Sequence, residues 1–115
     1  MSDCIFCRIV AGEIPAKEVA RSASAVAFRD LNPQAPAHVL VVPTTHLDNA
    51  ASADSEAGER VLGQVFRLAV QVARQLGLAE KGYRLVLNSG PDGGQSVAHL
   101  HVHVLGGRRM TWPPG

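Results

Sequence analysis

Residues 98–107 read AHLHVHVLGG. Three of the chain's five histidines, His99, His101 and His103, stand there at every second position, with Leu100, Val102 and Val104 interleaved. Along a β-strand alternate side chains point to the same face, at a repeat of about 6.6–6.8 Å. The spacing therefore predicts a strand over 99–106. Three imidazoles are presented together on one face and three aliphatic side chains lie on the other. The aliphatic face requires a helix to cover it.

That helix is legible upstream. Residues 55–76, SEAGERVLGQVFRLAVQVARQL, carry Val61, Val65, Leu68, Val72 and Leu76 at helical spacing, and Gly77 closes the segment. Gln64, Arg67, Gln71, Arg74 and Gln75 gather on the other side. Phe66, Val70 and Ala73 widen the apolar arc beyond the roughly 100° that one core-facing stripe needs. The excess predicts a second contact surface and hence a homodimer, although a helix set deeper into its own core has the same pattern.

The remaining segments supply more strands. KEVARS (17–22) and AVAFRD (25–30) form a hairpin pattern, NPQAPA (32–37) a proline loop, and HVLVVP (38–43) an apolar strand ended by Pro43. YRLVLNSG (83–90) is a strand and PDGG (91–94) a turn. At the front, CIFCRIVA (4–11) fits a short helix capped by Ser2 or Asp3 and ended by Gly12. Strands, a long helix and strands again specify an α+β domain with a mainly antiparallel sheet.

Composition narrows the class. A chain of 115 residues with 46% hydrophobic and 18% charged content is one ordinary globular domain, 1–115, with a C-terminal tail from about 107. A formal net charge of +1, without a basic arm or stripe, argues against a nucleic-acid partner. MSDCIF is no signal peptide, and no apolar run reaches membrane-spanning length, so the expected compartment is the cytoplasm, without membrane association. There Cys4 and Cys7 stay reduced.

Two chemistries suit the histidine face. One is a metal site: Cys4 and Cys7 form C-x-x-C, and two thiolates with two imidazoles complete a tetrahedral zinc site closed to substrate. The available imidazoles are His38, His46, His99, His101 and His103. The other is covalent catalysis. A neutral imidazole nitrogen attacks phosphorus and later leaves it, provided its other nitrogen is held protonated. The preceding SGPDGGQS supports this, because Gly93 and Gly94 let backbone N–H groups approach a phosphate and Ser96 adds a hydroxyl. The two chemistries can coexist.

HLHVHVL at 99–105 resembles the His-x-His-x-His-x-x signature of the histidine triad proteins. CIFCRIVAGEIPA, DLNPQAPAHVLVVPTTH, DGGQSVAHLHVHVLGG and WPPG are similar to the nucleotide-binding branch of that family. The resemblance implies a fold in which two five-stranded antiparallel sheets, each with one long and one short helix, join in a homodimer. It implies hydrolysis of purine nucleoside phosphoramidates through a nucleotidyl-histidine. His101 matches the nucleophile, His103 the histidine beside the phosphate, and His38 a further member of the hydrogen-bond network. Ser96 matches the contact to phosphate or leaving group, with Asn88, Gly94 and Gln95 in the phosphate pocket. Asp30 matches the acceptor for the ribose hydroxyls, and Ile5, Phe6, Ile9, Phe28 and Leu31 the slot for the base. From residue type alone, each of those five reads as a core residue, and only the resemblance favours the slot.

Trp112 matches a tail residue that reaches the partner subunit's site. In branches that keep C-x-x-C, Cys4, Cys7, His46 and His99 match the ligands of a structural zinc ion, and no organic cofactor is implied. Arg29 departs from relatives that carry histidine there, which changes the charge beside the nucleotide. Dinucleoside polyphosphate hydrolysis and nucleotidyl transfer are the alternatives within the superfamily. The third triad histidine argues against transfer and WPPG against the dinucleotide branch. A nucleotide-sensing interaction protein is the alternative outside enzymology.

Overall fold

The computed structural model describes residues 3–115. Its elements are α1 (Ile5–Val10), β1 (Glu18–Arg21), β2 (Ala25–Arg29), β3 (Ala37–Pro43), α2 (Glu56–Gln75), β4 (Arg84–Leu87) and β5 (Val102–Gly106), with a 3-10 turn at Ala50–Ala53. The five strands form one antiparallel sheet in the order β1-β2-β3-β5-β4. The α+β class agrees with the sequence pattern, and each predicted helix and strand is present, the last strand in shorter form. The 3-10 turn had no periodic signal.

The two faces of the sheet are covered unequally. Ala25, Ala27, Val39, Val41, Val102 and Val104 pack with Val65, Leu68, Ala69, Val72 and Ala73 of α2 in the main core. Val26, Phe28, Leu40 and Val42 pack beneath Phe6 of α1 in a smaller core. Register explains the sorting: Val39 pairs with Val104 and Val41 with Val102, whereas Leu40 pairs with His103. Directly opposed residues share a face. His103 therefore lies on the opposite face of the sheet from Val102 and Val104.

The α2 boundaries follow from capping. Ser55 accepts the Gly58 N–H at 2.9 Å, Glu56 and Glu59 occupy the first turn, and Gly77 takes φ +75° just past the end. At α1 the sequence expectation is corrected. Cys4 is the N-cap, its Sγ accepting the Cys7 N–H at 3.5 Å, and Asp3 is exposed outside the helix. Ser2 lies outside the described residues.

The histidine segment also differs from its expected form. β5 begins at Val102, and His99–His101 precede it. Past Val41↔Val102 the neighbouring strand runs out at Pro43, and the Leu100 N–H instead donates to the Leu47 carbonyl at 2.7 Å. The alternation survives, with Leu100 in the α2 core. Nor are the imidazoles on an open face. His99 is 0% exposed and His101 3%, because α1 roofs them.

Candidate functional site

Phe6 forms that roof. Its ring meets His99 edge-on at 5.9 Å, His101 at 5.1 Å and Phe28 at 5.5 Å between centroids. An aromatic edge over an imidazole excludes water and limits how far the ring can turn. Beneath the roof the triad divides into two groups.

The first is a four-residue cluster. Cys4, Cys7, His46 and His99 bring one ligand atom each within 4.8 Å of one another. His99 Nδ1 lies 3.3 Å from Cys4 Sγ and 3.4 Å from Cys7 Sγ, and His46 Nδ1 lies 3.2 Å from Cys7 Sγ and 3.1 Å from His99 Nδ1. The outer nitrogens fix the tautomers. His99 Nε2 donates to the Pro43 carbonyl at 3.0 Å and His46 Nε2 to the Asp48 carboxylate at 2.8 Å. Both Nδ1 atoms therefore point bare lone pairs inward, beside two sulfurs.

Such a convergence of acceptors calls for a cation. Tetrahedral zinc with bonds of about 2.0–2.3 Å separates its ligand atoms by about 3.3–3.8 Å, close to the spacing here. The carbonyl and carboxylate on the outer nitrogens are the usual supports of metal-binding imidazoles. These four residues could hold a metal ion. Burial, chiefly, keeps the His99 pKa below its ordinary value and favours the neutral ligand form.

The second group carries the other two triad members. His101 Nδ1 donates to the His99 carbonyl at 2.7 Å, leaving Nε2 as a bare lone pair. His38 and His103 interact through Nε2 and Nδ1 at 2.9 Å. The Gln34 backbone N–H donates to His38 Nδ1 at 3.0 Å, so the His38 proton sits on Nε2 and points to His103. His103 then carries its own proton on Nε2. Among the described residues that nitrogen is buried without a partner. A buried unsatisfied donor beside a bare imidazole nitrogen is what an anionic group would fill. Asp30 Oδ2 lies 3.4 Å from His38 Nε2, and its Oδ1 accepts the Asn32 N–H at 2.8 Å.

The electrostatics agree. Burial, the neighbouring His101 and His38, against a smaller opposing pull from Asp30, push the His103 pKa down to about 4. Burial likewise lowers His38, with Asp30 opposing. Both are neutral near pH 7, as their tautomers require.

A cleft of about 250 Å³ opens beside Phe6, which touches His101, and Leu40, which pairs with His103. Ile5, Phe6, Ile9, Phe28 and Leu31 line it with Asp30 and Ser96, so the structure gathers the five apolar residues at one concavity. Leu31 is 95% exposed at its rim. Ile14, Pro15, Ala16, Lys17, Leu40 and Val97 also line it and carry no sequence signal of doing so. A second concavity of about 280 Å³, bounded by Pro33, Pro36 and His38, shares Lys17, Arg29, Asp30 and Leu31 with it. Arg29, which follows Phe28 on β2, lies at the boundary between the two concavities and lines both. A larger concavity of about 580 Å³, between Gly77–Gly82 and Gly107–Arg109, contains no histidine or cysteine. Chemistry, not size, singles out the site.

The loop before the triad differs from expectation. Gly94 N–H donates to Pro91 O and Gln95 N–H to Gly90 O, so neither is turned out toward a phosphate. Gly93 serves close packing, since a Cβ there would sit 2.5 Å from the Ser89 carbonyl oxygen. The Gln95 side chain bonds Gly90 N, Val97 O and Asp48 O, and so ties this loop to the one bearing His46. Asn88 is half-buried just beyond β4.

The HIT domain pattern matches residues 11–110. The chain belongs to the HIT family. It is 49% identical to a 14 kDa zinc-binding protein of Zea mays, over 99% of this chain and 89% of that protein. It is 46% identical to the Adenylylsulfatase HINT1 of Arabidopsis thaliana, over 99% of this chain and 78% of that protein. Among solved structures, a HIT family hydrolase from Legionella pneumophila superposes with a TM-score of 0.94 at 45% identity, covering 98% of this chain and 100% of that one.

Proposed function

We propose that this HIT protein is a purine nucleoside phosphoramidate hydrolase working through a nucleotidyl-histidine. The observation that carries it is the paired state of two imidazoles: His101 with Nε2 bare, and His103 with an unpartnered Nε2–H beside it. The His101 Nε2 lone pair attacks the α-phosphorus and the phosphorus–nitrogen bond breaks. A solvent proton, passed by the Ser96 hydroxyl, leaves with the amine. His103 Nε2–H donates to a phosphoryl oxygen, and the His99 carbonyl stabilises the charge that His101 acquires. Water then cleaves the histidine–phosphorus bond, releasing the nucleoside monophosphate and restoring bare Nε2. His38 fixes the His103 tautomer, Asp30 accepts the ribose hydroxyls, and the apolar cleft takes the base.

Purified protein is expected to release AMP from adenosine 5′-phosphoramidate. His101→Ala and His101→Asn are expected to abolish turnover while AMP still binds. Unchanged turnover in either variant sinks the mechanism. The name of the Arabidopsis relative favours a second substrate, adenylyl sulfate, in which sulfate leaves without needing a proton.

The metal in the Cys4–Cys7–His46–His99 cluster is proposed to be zinc, in a structural role supported by the donor set and by the name of the maize relative. It would supply a rigid tie between α1, the His46 loop and His99, whose carbonyl orients His101. A second copy of the chain is the proposed partner. Unpaired edge strand β4 and the partly buried Phe66 and Leu85 support a dimer with joined sheets. Trp112, 82% exposed in one subunit, would then approach the partner's site. Thiolate ligands at Cys4 and Cys7 suit the reducing cytoplasm. No helix among the described residues is long and apolar enough to cross a membrane.

A further inference from the structure

Resting on the hydrolase assignment, we propose that Arg108 is a positioning residue that sets the proton-donating nitrogen of His103 from outside the site. Its guanidinium donates to the Gln34 carbonyl through Nε at 3.2 Å and a terminal nitrogen at 3.1 Å. Among the described residues that carbonyl has no other partner. The same residue's backbone N–H donates to His38 Nδ1 at 3.0 Å, and His38 Nε2 meets His103 Nδ1 at 2.9 Å. The chain of bonds ends on the buried, unpartnered His103 Nε2.

Each link transmits a choice of tautomer. A backbone N–H can only donate, so His38 Nδ1 must accept and His38 Nε2 must carry the proton. His103 Nδ1 must then accept, which leaves its proton on Nε2. If the Gln34 N–H swings away, His38 Nδ1 is free to take the proton, and the Asp30 carboxylate, 3.4 Å from Nε2, is the remaining bias toward the Nε2–H form. The 30–36 segment contains Pro33 and Pro36, which have no N–H to brace it. Its internal bonds are local: Asn32 N to Asp30 Oδ1 at 2.8 Å and Gln34 Nε2 to Asn32 O at 3.0 Å. Asp30 N–H ties its start to the His38 carbonyl at 3.0 Å, and Arg108 braces its middle from outside.

The circuit starts and ends on one segment, because Arg108 lies five positions after His103 and just beyond β5. Gly107 makes that return possible. Its φ of +88° turns the chain, and a Cβ there would lie 2.9 Å from Pro36 Cβ. Glycine at 107 thus serves the turn and the close approach to the loop.

The test compares wild type, Arg108→Ala and Arg108→Lys by long-range nitrogen–proton NMR of the imidazoles, without substrate, and by steady-state kinetics. In wild type His38 is expected as a pure Nε2–H tautomer. Arg108→Ala is expected to mix the two His38 tautomers and to lower kcat about tenfold or more, as supporting residues commonly do. KM and AMP affinity change by less than kcat does, because Arg108 itself does not line the cleft. Arg108→Lys, which keeps a donor, restores most of both signals. Unchanged His99 resonances report an intact fold. A pure Nε2–H tautomer on His38 in Arg108→Ala, or wild-type kcat there, overturns the proposal. Should wild type cleave no phosphoramidate at all, the hydrolase assignment fails, while the tautomer spectrum still decides this circuit.

Discussion

Truncating Phe6 tests whether α1 is the roof that organises the site. Phe6 is buried and belongs to the smaller core with Val26, Phe28, Leu40 and Val42. Removing a buried phenylalanine to alanine costs about 3–5 kcal/mol, a range that includes the cavity left behind. The edge-to-face contacts with Phe28, His99 and His101 place this site toward the upper part of that range. For 115 residues the unfolding entropy is about 0.24 kcal/mol per kelvin, so Phe6→Ala is expected to lower Tm by about 12–20 °C. Phe6→Leu keeps more of the volume and is expected to fall by well under half as much. The assay is thermal unfolding at fixed protein and zinc concentration, since both shift the apparent stability. A loss below about 4 °C for Phe6→Ala, together with wild-type turnover, would show that α1 neither closes this core nor holds the His101 ring.

Other expectations follow from the same geometry. With the His103 pKa pushed down to about 4, an unfolded chain takes up a proton that the folded one refuses below the ordinary value of about 6.5. This contribution to stability is whole above pH 6.5 and declines as pH falls toward 4, at about 1.4 kcal/mol per pH unit. His38 and His99 act in the same direction. Urea unfolding at pH 7 and pH 5 should show the loss, and His103→Gln should reduce its slope; an unaltered slope refutes the assignment. Metal analysis should find about one zinc per chain, and Cys7→Ser should lose the ion and unfold at lower temperature, as expected for a structural site. Full stability without metal refutes that role. Sedimentation should give a dimer, which Phe66→Glu, placing a charge on the half-buried face of α2, is expected to split; a tight wild-type monomer contradicts it.

Much of this was legible because alternation and helical spacing are local. The valines of 99–106 and the stripe of α2 could find each other only across a sheet, and C-x-x-C calls for two further ligands, which the family resemblance assigned to His46 and His99. What escaped was the partnership of backbone groups distant in sequence. The Leu47 carbonyl takes the Leu100 N–H and ends the strand early, and Pro43 O and the Asp48 carboxylate orient the two proposed metal-binding imidazoles. Gln95 fits a phosphate pocket by residue type, yet its amide is engaged in bracing two loops. The roof over the histidines follows from where α1 docks, which no periodicity in six residues specifies.

The central claim is a covalent bond between His101 Nε2 and phosphorus. Rapid quenching of a single turnover with adenosine 5′-phosphoramidate, followed by peptide mass mapping, tests it most directly. One adenylyl group carried by His101, formed and lost at rates that match release of the amine and of AMP, is the predicted result. AMP release with no adduct on any residue, or an adduct on His103 with His101 unmodified, would contradict it.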